Sequence, residues 1–391
     1  MKTLILTSLA LTLFLAAPHR PAAAEAKPEK AKKTEAAGDE GLFAKAAVFD
    51  LKIEIPSGSL ELLRANPKDY VRGTIREGDK AYADAGIRYK GNSTAPSNGS
   101  KPAFTVKFNE FISGQQFHGQ RKIVLESCTH DPTFLNELLA CELYRAAGVP
   151  APRCTFARVQ LNGRDLGLYV LAEGINRDFL SRFFDKSKGN LYEGDDRDVT
   201  SKLDKDSGDE RKDQPDLAAL AEAARGADAA QRWQRLEKVL DLDRFLSFAA
   251  VEVFTWHTGG YCLGTNKYRI YHDPSADRMV FLPHGLDNGF TKPDGPLQPE
   301  WRGLVARAVL DSAEGRRLYR ERMSKLLATA FKTDALQAKI DELATRLRPI
   351  LAAQDAKLAK ATDTAIAQLR ERVAQRAQSL QDQLKTTTAS K

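Results

Sequence analysis

The stretch Asn266–Asp287, NKYRIYHDPSADRMVFLPHGLD, decides how the chain is read. Two apolar runs flank a polar turn at Asp273-Pro274, the pattern of a β-hairpin spanning Lys267 to Pro283. Antiparallel pairing across that turn carries Asn266 and Asp287 to the same end. An amide oxygen and a carboxylate facing one point suit a hard cation such as magnesium. In phosphoryl transfer an Asn and an Asp commonly hold the metal that bridges nucleotide phosphates. Both residues read equally well as strand-end caps, and residue type alone leaves the two readings open.

Working outward, Val48 to Ile55 alternates apolar and polar residues as a half-buried strand does. Strands are also expected at 71–75, 82–89, 103–108 and 122–125, with a short helix at 60–65. Asp131-Pro132 is a helix start, and the helix runs from Thr133 to Ala147 before Gly148. Asn162-Gly163 joins Phe156–Leu161 to Leu166–Ala172 as a hairpin. Thr200 to Asp216, dense in Asp, Lys, Ser and Gly, reads as a mobile insertion, and two helices follow up to Trp256. Past Trp301 the apolar spacing at 340, 343, 347, 350, 366, 369, 373, 380 and 384 suits long amphipathic helices broken at Pro349. They pack on the body or on a partner, so an oligomer formed through this tail is one expectation. No internal repeat is evident.

A second constellation is Lys90-Gly91-Asn92-Ser93-Thr94 followed by Ser100-Lys101. A glycine loop between strands exposes backbone N–H groups to a phosphate, and a lysine beyond it neutralises charge. The Gly-Lys-Ser/Thr ending of nucleotide-hydrolase phosphate loops is absent. Glu137, one turn into the apolar-striped helix, can pair with Lys101 and hold it, or stand as a solvated helix-face charge.

At the front, Lys2, the apolar run Leu4–Ala17 and the small residues Ala22, Ala23 and Ala24 have the three parts of a cleavable signal over residues 1–24. A membrane anchor needs about 20 apolar residues, and Pro18, His19 and Arg20 interrupt this run too early. The expectation is a secreted or periplasmic chain without a transmembrane anchor, with 25–41 a disordered Ala/Lys/Glu spacer. A surplus of 59 Lys plus Arg over 52 Asp plus Glu, without basic residues interleaved with aromatics, argues against nucleic acid and accommodates an anionic ligand. Cys128, Cys141, Cys154 and Cys262 allow three pairings, and none of their spacings suggests zinc.

Taken in order, these residues resemble the spore-coat-protein-H (CotH) kinase-like family of secreted atypical protein kinases, over roughly Phe49 to Phe331. The resemblance rests on Lys90-Gly91-Asn92-Ser93, Ser100-Lys101-Pro102, Asp131, Glu137, Leu161-Asn162-Gly163 with Gly167-Leu168-Tyr169, and Glu173. It continues through Gly189-Asn190-Leu191-Tyr192 and Asn266-Lys267-Tyr268-Arg269 to Pro283-His284-Gly285-Leu286-Asp287. It implies an α+β fold of two lobes, strand-rich then helical, over 42–331, with an amphipathic helical tail over 332–391. It implies Lys90, Gly91, Asn92, Ser93 and Lys101 at the nucleotide and Glu137 as partner of Lys101. Glu173 would lie near the adenine-side connection, and Asn266 and Asp287 would be ligands of Mg2+ or Mn2+ with ATP as substrate. The acceptor would be a protein hydroxyl, on a protein substrate or an envelope or coat protein.

The chain departs from that pattern where many members carry an aspartate that accepts the acceptor's proton. Gly259 stands there, within Trp256-His257-Thr258-Gly259-Gly260-Tyr261. Glycine cannot take a proton, which leaves His257 as the candidate base and a pseudokinase scaffold as the alternative. A third reading, a metallohydrolase using His257, His272, His284 and Asp287, lacks a helical His-x-x-x-His pair.

Overall fold

The computed structural model describes residues 41–43, 48–91 and 101–389. The leader-like segment and nearly all of the spacer lie outside them, as do Asn92 and Ser93. The chain folds as α+β. Seven strands close into a barrel in the order β1-β2-β3-β4-β5-β7-β6. They are β1 (Val48–Glu54), β2 (Val71–Glu77), β3 (Lys80–Tyr89), β4 (Phe104–Lys107), β5 (Lys122–Glu126), β6 (Cys154–Leu161) and β7 (Arg164–Glu173). Alternation aims Leu51, Ile53, Ile75, Ile87, Phe104, Val106, Ile123, Leu125, Val159 and Leu171 into one buried core. Closure comes from a parallel pairing of β1 with β6, Val48 opposite Phe156 through Ile53 opposite Leu161. A closed sheet has no exposed edge to recruit a foreign strand. Helix α1 (Ser57–Ala65) bridges β1 and β2 and packs on β2.

Helix α2 (Asn136–Ala146) interrupts the barrel sequence between β5 and β6. The expected start at Thr133 is displaced because Asp131 folds residues 131–135 into turns. Its two carboxylate oxygens accept from Thr133 N at 2.9 Å and Asn136 N at 2.8 Å. From the end of β7 the chain passes into α3 (Arg177–Phe183), capped by the Asn176 side chain. It then builds a second sheet ordered β11-β10-β8-β9, from β8 (Leu191–Glu193), β9 (Asp204–Ser207), β10 (Tyr268–Asp273) and β11 (Arg278–Pro283).

The segment 200–216, read from composition as mobile, is tied down. β9 joins the sheet, the Gln214 amide bonds both backbone groups of Leu203, and Asp216 accepts from Tyr192 Oη at 2.6 Å. Polar residues here bond one another, as Lys205 and Arg211 do Asp209. Three helices, not two, precede Trp256: α4 (Pro215–Ala223), α5 (Ala229–Val239) and α6 (Leu242–Thr255). Helix α6 is buried on all sides, as a helix through the middle of a large core must be.

Four helices complete the chain: α7 (Leu304–Leu310), α8 (Ala313–Thr329), α9 (Thr333–Gln354) and α10 (Ala356–Ala389). Pro349 does not break α9. A mid-helix proline forfeits a hydrogen bond, but Leu347 and Leu351 on either side are packed and hold the helix through it. The break falls at Asp355, in extended conformation, whose carboxylate caps α10 by accepting from Lys357 N at 2.7 Å. The apolar stripe of α9 and α10 faces the body: Ile340, Leu343, Leu347, Ile366, Leu369, Val373 and Leu380 join the same core as α2 and α6.

The hairpin turn that completes the barrel is a sharp test of this architecture. Asn162 and Gly163 both have positive φ, 49° and 82°, as a two-residue turn between twisted strands requires. The Asn162 side chain also accepts from Ile55 N and donates to Ile55 O, each at 2.8 Å, latching the turn to the end of β1. Asn162→Ala removes both bonds and should lower the unfolding free energy by about 2 kcal/mol. Urea denaturation should show a shifted midpoint with an unchanged slope.

Candidate active site

The hairpin β10–β11 pairs Tyr268 with Pro283 and Asp273 with Arg278, so Asn266 and Asp287 leave at its same, open end. Asp287 is mostly buried among cations. Lys267 Nζ lies 3.0 Å from its Oδ1, and His130 Nδ1 lies 3.4 Å from its Oδ2. Burial alone would raise its pKa, but Lys267, Lys90 and His130 hold it below the ordinary carboxylate range. Asn136 at the start of α2 donates to Asp287 O at 3.0 Å and to Gly289 O at 3.3 Å, fixing the turn that presents the carboxylate. The Asn136 Oδ1 beside these bonds is buried without a partner among the described residues.

The barrel supplies the facing wall. Lys90, just past the end of β3, bonds Glu126 at the end of β5. Burial would strip its proton, yet Glu126, Glu137 and Asp287 raise its pKa to about 12. Gly91, at φ 88°, makes the turn that carries the chain away from it. Glu137 is buried and accepts from Leu286 N, one residue before Asp287. Its carboxyl is pushed upward by burial and then by Glu126 and Asp287, against Lys90. The expected Lys101–Glu137 pair does not form. Lys101 Nζ donates to Leu168 O and lies over the rings of Tyr169 and Phe134, with its pKa lowered by burial to about 8. The ammonium near Glu137 belongs to Lys90.

Glu173 ends β7, where the chain leaves the barrel, and is held by Arg153 at 3.0 Å and Arg182 at 2.5 Å. It lines the same cavity as Lys90, Gly91, Glu126 and Glu137, together with Glu193, Arg269 and His284. Arg269 bonds Asp206 and Glu193, and His284 is driven by burial to a pKa of about 3. His272 lies at the turn end of the hairpin, bonded to Asp277 at 2.9 Å and away from Asp287. Among the described residues no three His, Cys, Asp or Glu side chains are placed to hold a metal together, so the four-ligand hydrolase set is not assembled. Asp287 with Asn266 suits magnesium as phosphate sites use it, with one or two protein oxygens and the rest of the shell from phosphates and water.

Between α6 and β10 the loop 257–266 is shaped by Glu252, fully buried on α6. Its Oε1 accepts from Leu263 N at 2.7 Å, and its carboxyl carbon lies so close to Gly260 that a Cβ there would sit 2.3 Å away. His257 is buried, and its pKa is lowered to about 4 by burial and Lys267. Its Nε2 has no hydrogen-bond partner among the described residues. A Cβ at Gly259 would meet that Nε2 at 3.3 Å and Lys267 Cδ at 3.4 Å. A side chain at 259 would therefore stand against both His257 and Lys267, which would have to give by a few tenths of an ångström to admit it.

Four residues that shape the site escaped the reading of the sequence: Glu126, Lys267, Asn136 and Glu252. Glu126 carried a usable signal, an acid closing the apolar run Ile123–Leu125 in a strand. Glu252, the one polar residue in the run Phe248–Phe254, carried another. Lys267 and Asn136 act through contacts across 20 and 151 positions, which local pattern does not reveal.

With this geometry in place, comparison with known proteins is informative. The chain belongs to the CotH kinase protein family, whose pattern matches residues 87–380. It is 22% identical over 263 residues to the inner spore coat protein H of Bacillus subtilis, covering 62% of this chain and 72% of that protein. It is 23% identical over 333 residues to the invasin CotH2 of Rhizopus delemar, covering 74% of this chain and 55% of that relative. A HipA chain from the HipA, HipB and operator DNA complex of Shewanella oneidensis aligns at 13% identity and a TM-score of 0.32, over 87% of this chain and 76% of that one. A likeness that distant carries no argument.

Burial raises the Glu252 carboxyl from its ordinary 4.5 to about 8. Between those values the folded protein keeps a proton that the unfolded chain releases, so stability falls as pH rises through that window. Glu252→Gln keeps an acceptor for Leu263 N and cannot ionise. Its unfolding free energy should fall less steeply than the wild type's from about pH 5 to about pH 8, some slope persisting through Glu137. Equal slopes in denaturant titrations would refute this assignment.

Proposed function

We propose that this is an exported, kinase-like protein that binds ATP with Mg2+ or Mn2+ in the cavity between the barrel and the β10–β11 hairpin, and transfers phosphate to a protein hydroxyl slowly. In this reading the barrel is the nucleotide lobe and the helices are the second lobe. One observation carries the reading: a half-buried lysine, Lys90, held by Glu126 with Glu137 and Asp287 around it. A lysine oriented by carboxylates makes a fixed, charge-assisted contact to a phosphate. Lys101 instead donates to the Leu168 carbonyl of β7. Asp287 and Asn266 would hold the metal, which when bound neutralises the charge of the phosphates. Lys267, now on Asp287, would then move to the phosphates or remain as second cation.

Export is supported by the tripartite pattern at residues 1–24 and by the printed names of the relatives, a spore coat protein and an invasin. Among the described residues no helix is long and apolar enough to cross a membrane. A protein acceptor, or an envelope or coat partner, follows from the same kinship.

Gly259 favours a second reading, a pseudokinase that binds nucleotide and serves as a scaffold. With glycine at that position the candidate base is His257 Nε2, and that atom is buried. General-base assistance contributes roughly 10²- to 10⁴-fold in other enzymes, so transfer should be slow rather than absent.

ATP with Mg2+ should raise the melting temperature of the wild type, and Asp287→Ala should abolish that rise. A melting temperature indifferent to saturating nucleotide would sink both readings. Gly259→Asp puts a carboxylate into the space beside His257 and Lys267 and should raise phosphotransfer to protein acceptors at least about tenfold. No gain in Gly259→Asp, with nucleotide still bound, would leave the scaffold.

A further inference from the structure

One buried charge has no part in the proposed reaction. Arg376 of α10 is 2% exposed, and no carboxylate lies within ion-pair distance of it among the described residues. Burial lowers its pKa to about 10, with Asp294 only a distant counter-charge. Its Nε has no hydrogen-bond partner among the described residues. A buried guanidinium left without a carboxylate is costly, and a hydrophobe of similar volume would serve packing as well or better.

Its contacts join two separate pieces of chain. Nη2 donates to Val253 O at 2.7 Å, in the last turn of α6, and Nη1 donates to Gly295 O, in the segment after Asp287. The guanidinium carbon stands 5.1 Å from the Trp256 ring centroid. Trp256 is the C-cap of α6 and lies at φ 46° and ψ 51°, a left-handed conformation unfavourable for a bulky side chain. It immediately precedes His257. Gly295 packs so closely on the indole that a Cβ there would sit 2.5 Å from it. Gln383, further along α10, accepts from Leu297 N at 2.6 Å and donates to Gly295 O at 3.2 Å.

We infer that Arg376 is a positioning residue: it staples the end of α6 to the segment after Asp287, and so sets the His257–Asn266 loop against Asp287. The last helix is thereby part of the site. A strained tryptophan persists only where its surroundings over-determine it, and here a cation, a glycine and a backbone bond do so. The inference deepens the reading of the cavity as a metal–nucleotide site and rests on it for its ligand.

The test compares full-length wild type, Arg376→Met and Arg376→Lys. Hydrogen exchange at 257–266 and 289–297 is one readout, the dissociation constant for ATP with Mg2+ by calorimetry a second, and the melting temperature a third. Arg376→Met should melt no lower than the wild type, since it removes an unpaired buried charge. Amides in those two segments should nevertheless exchange faster, and ATP affinity should fall by about tenfold, as when supporting contacts around a metal site are lost. Arg376→Lys, which keeps the charge but not the two-pronged reach, should give a smaller change in the same segments. Should the methionine variant fail to fold, the lysine variant decides alone. Unchanged exchange in both segments, or faster exchange spread evenly over α8 to α10, would overturn the inference. If the wild type does not bind ATP, the proposed function falls, and exchange still decides whether Arg376 positions the loop.

Discussion

A charge that cannot be left alone organises this molecule. Lys90 is half-buried where the barrel meets the helices, and an ammonium drawn that far from water is stabilised by the carboxylates around it. Glu126 comes from β5, Glu137 from α2 and Asp287 from the exit of β11. Two neighbouring elements and a third some 150 residues further on therefore converge on one cation. Of the three carboxyls, that of Glu137 is pushed upward by burial and by Glu126 and Asp287, against Lys90. The cluster ties the barrel to the turn that leaves the second sheet.

Around that cluster the backbone is fixed by side chains that accept from, or donate to, the main chain. Asp131 shapes the entry to α2, Asn136 the turn at Asp287, and Glu252 the loop before β10. Such buried bonds are costly to break and local in effect, which makes the loops as defined as the strands they connect. Gly259 is the exception. It brings no side chain to the point where His257 and Lys267 close in on it, so the scaffold is more complete than the chemistry it would support.

Local pattern made much of this legible. The alternation in β1, the Asn-Gly turn before β7 and the two apolar runs of β10 and β11 report their elements directly, because each depends on near neighbours. The shared end of Asn266 and Asp287 follows from the hairpin alone. Barrel closure was hidden, because β1 meets β6 across 108 positions and parallel pairing leaves no turn to read. The choice between Lys90 and Lys101 was hidden for the same reason. Both are lysines beside one glycine loop, and only the tertiary position of Glu126 separates them. Composition misled over 200–216, where polar residues are bonded to each other, and a proline misled at 349, where packing outweighs a lost hydrogen bond.

The parallel seam of the barrel also dictates an order of assembly. β2 to β5 can pair as successive antiparallel neighbours, each partner close behind the last. The remaining flank of β1 must wait until the chain has been made through Leu161, after α2 has come between. Contacts so distant in sequence form late, since the loop entropy is spent before the pairing rewards it. During synthesis, then, the first strand is the one that remains half-paired longest, and the β6–β7 hairpin is the event that shuts the sheet.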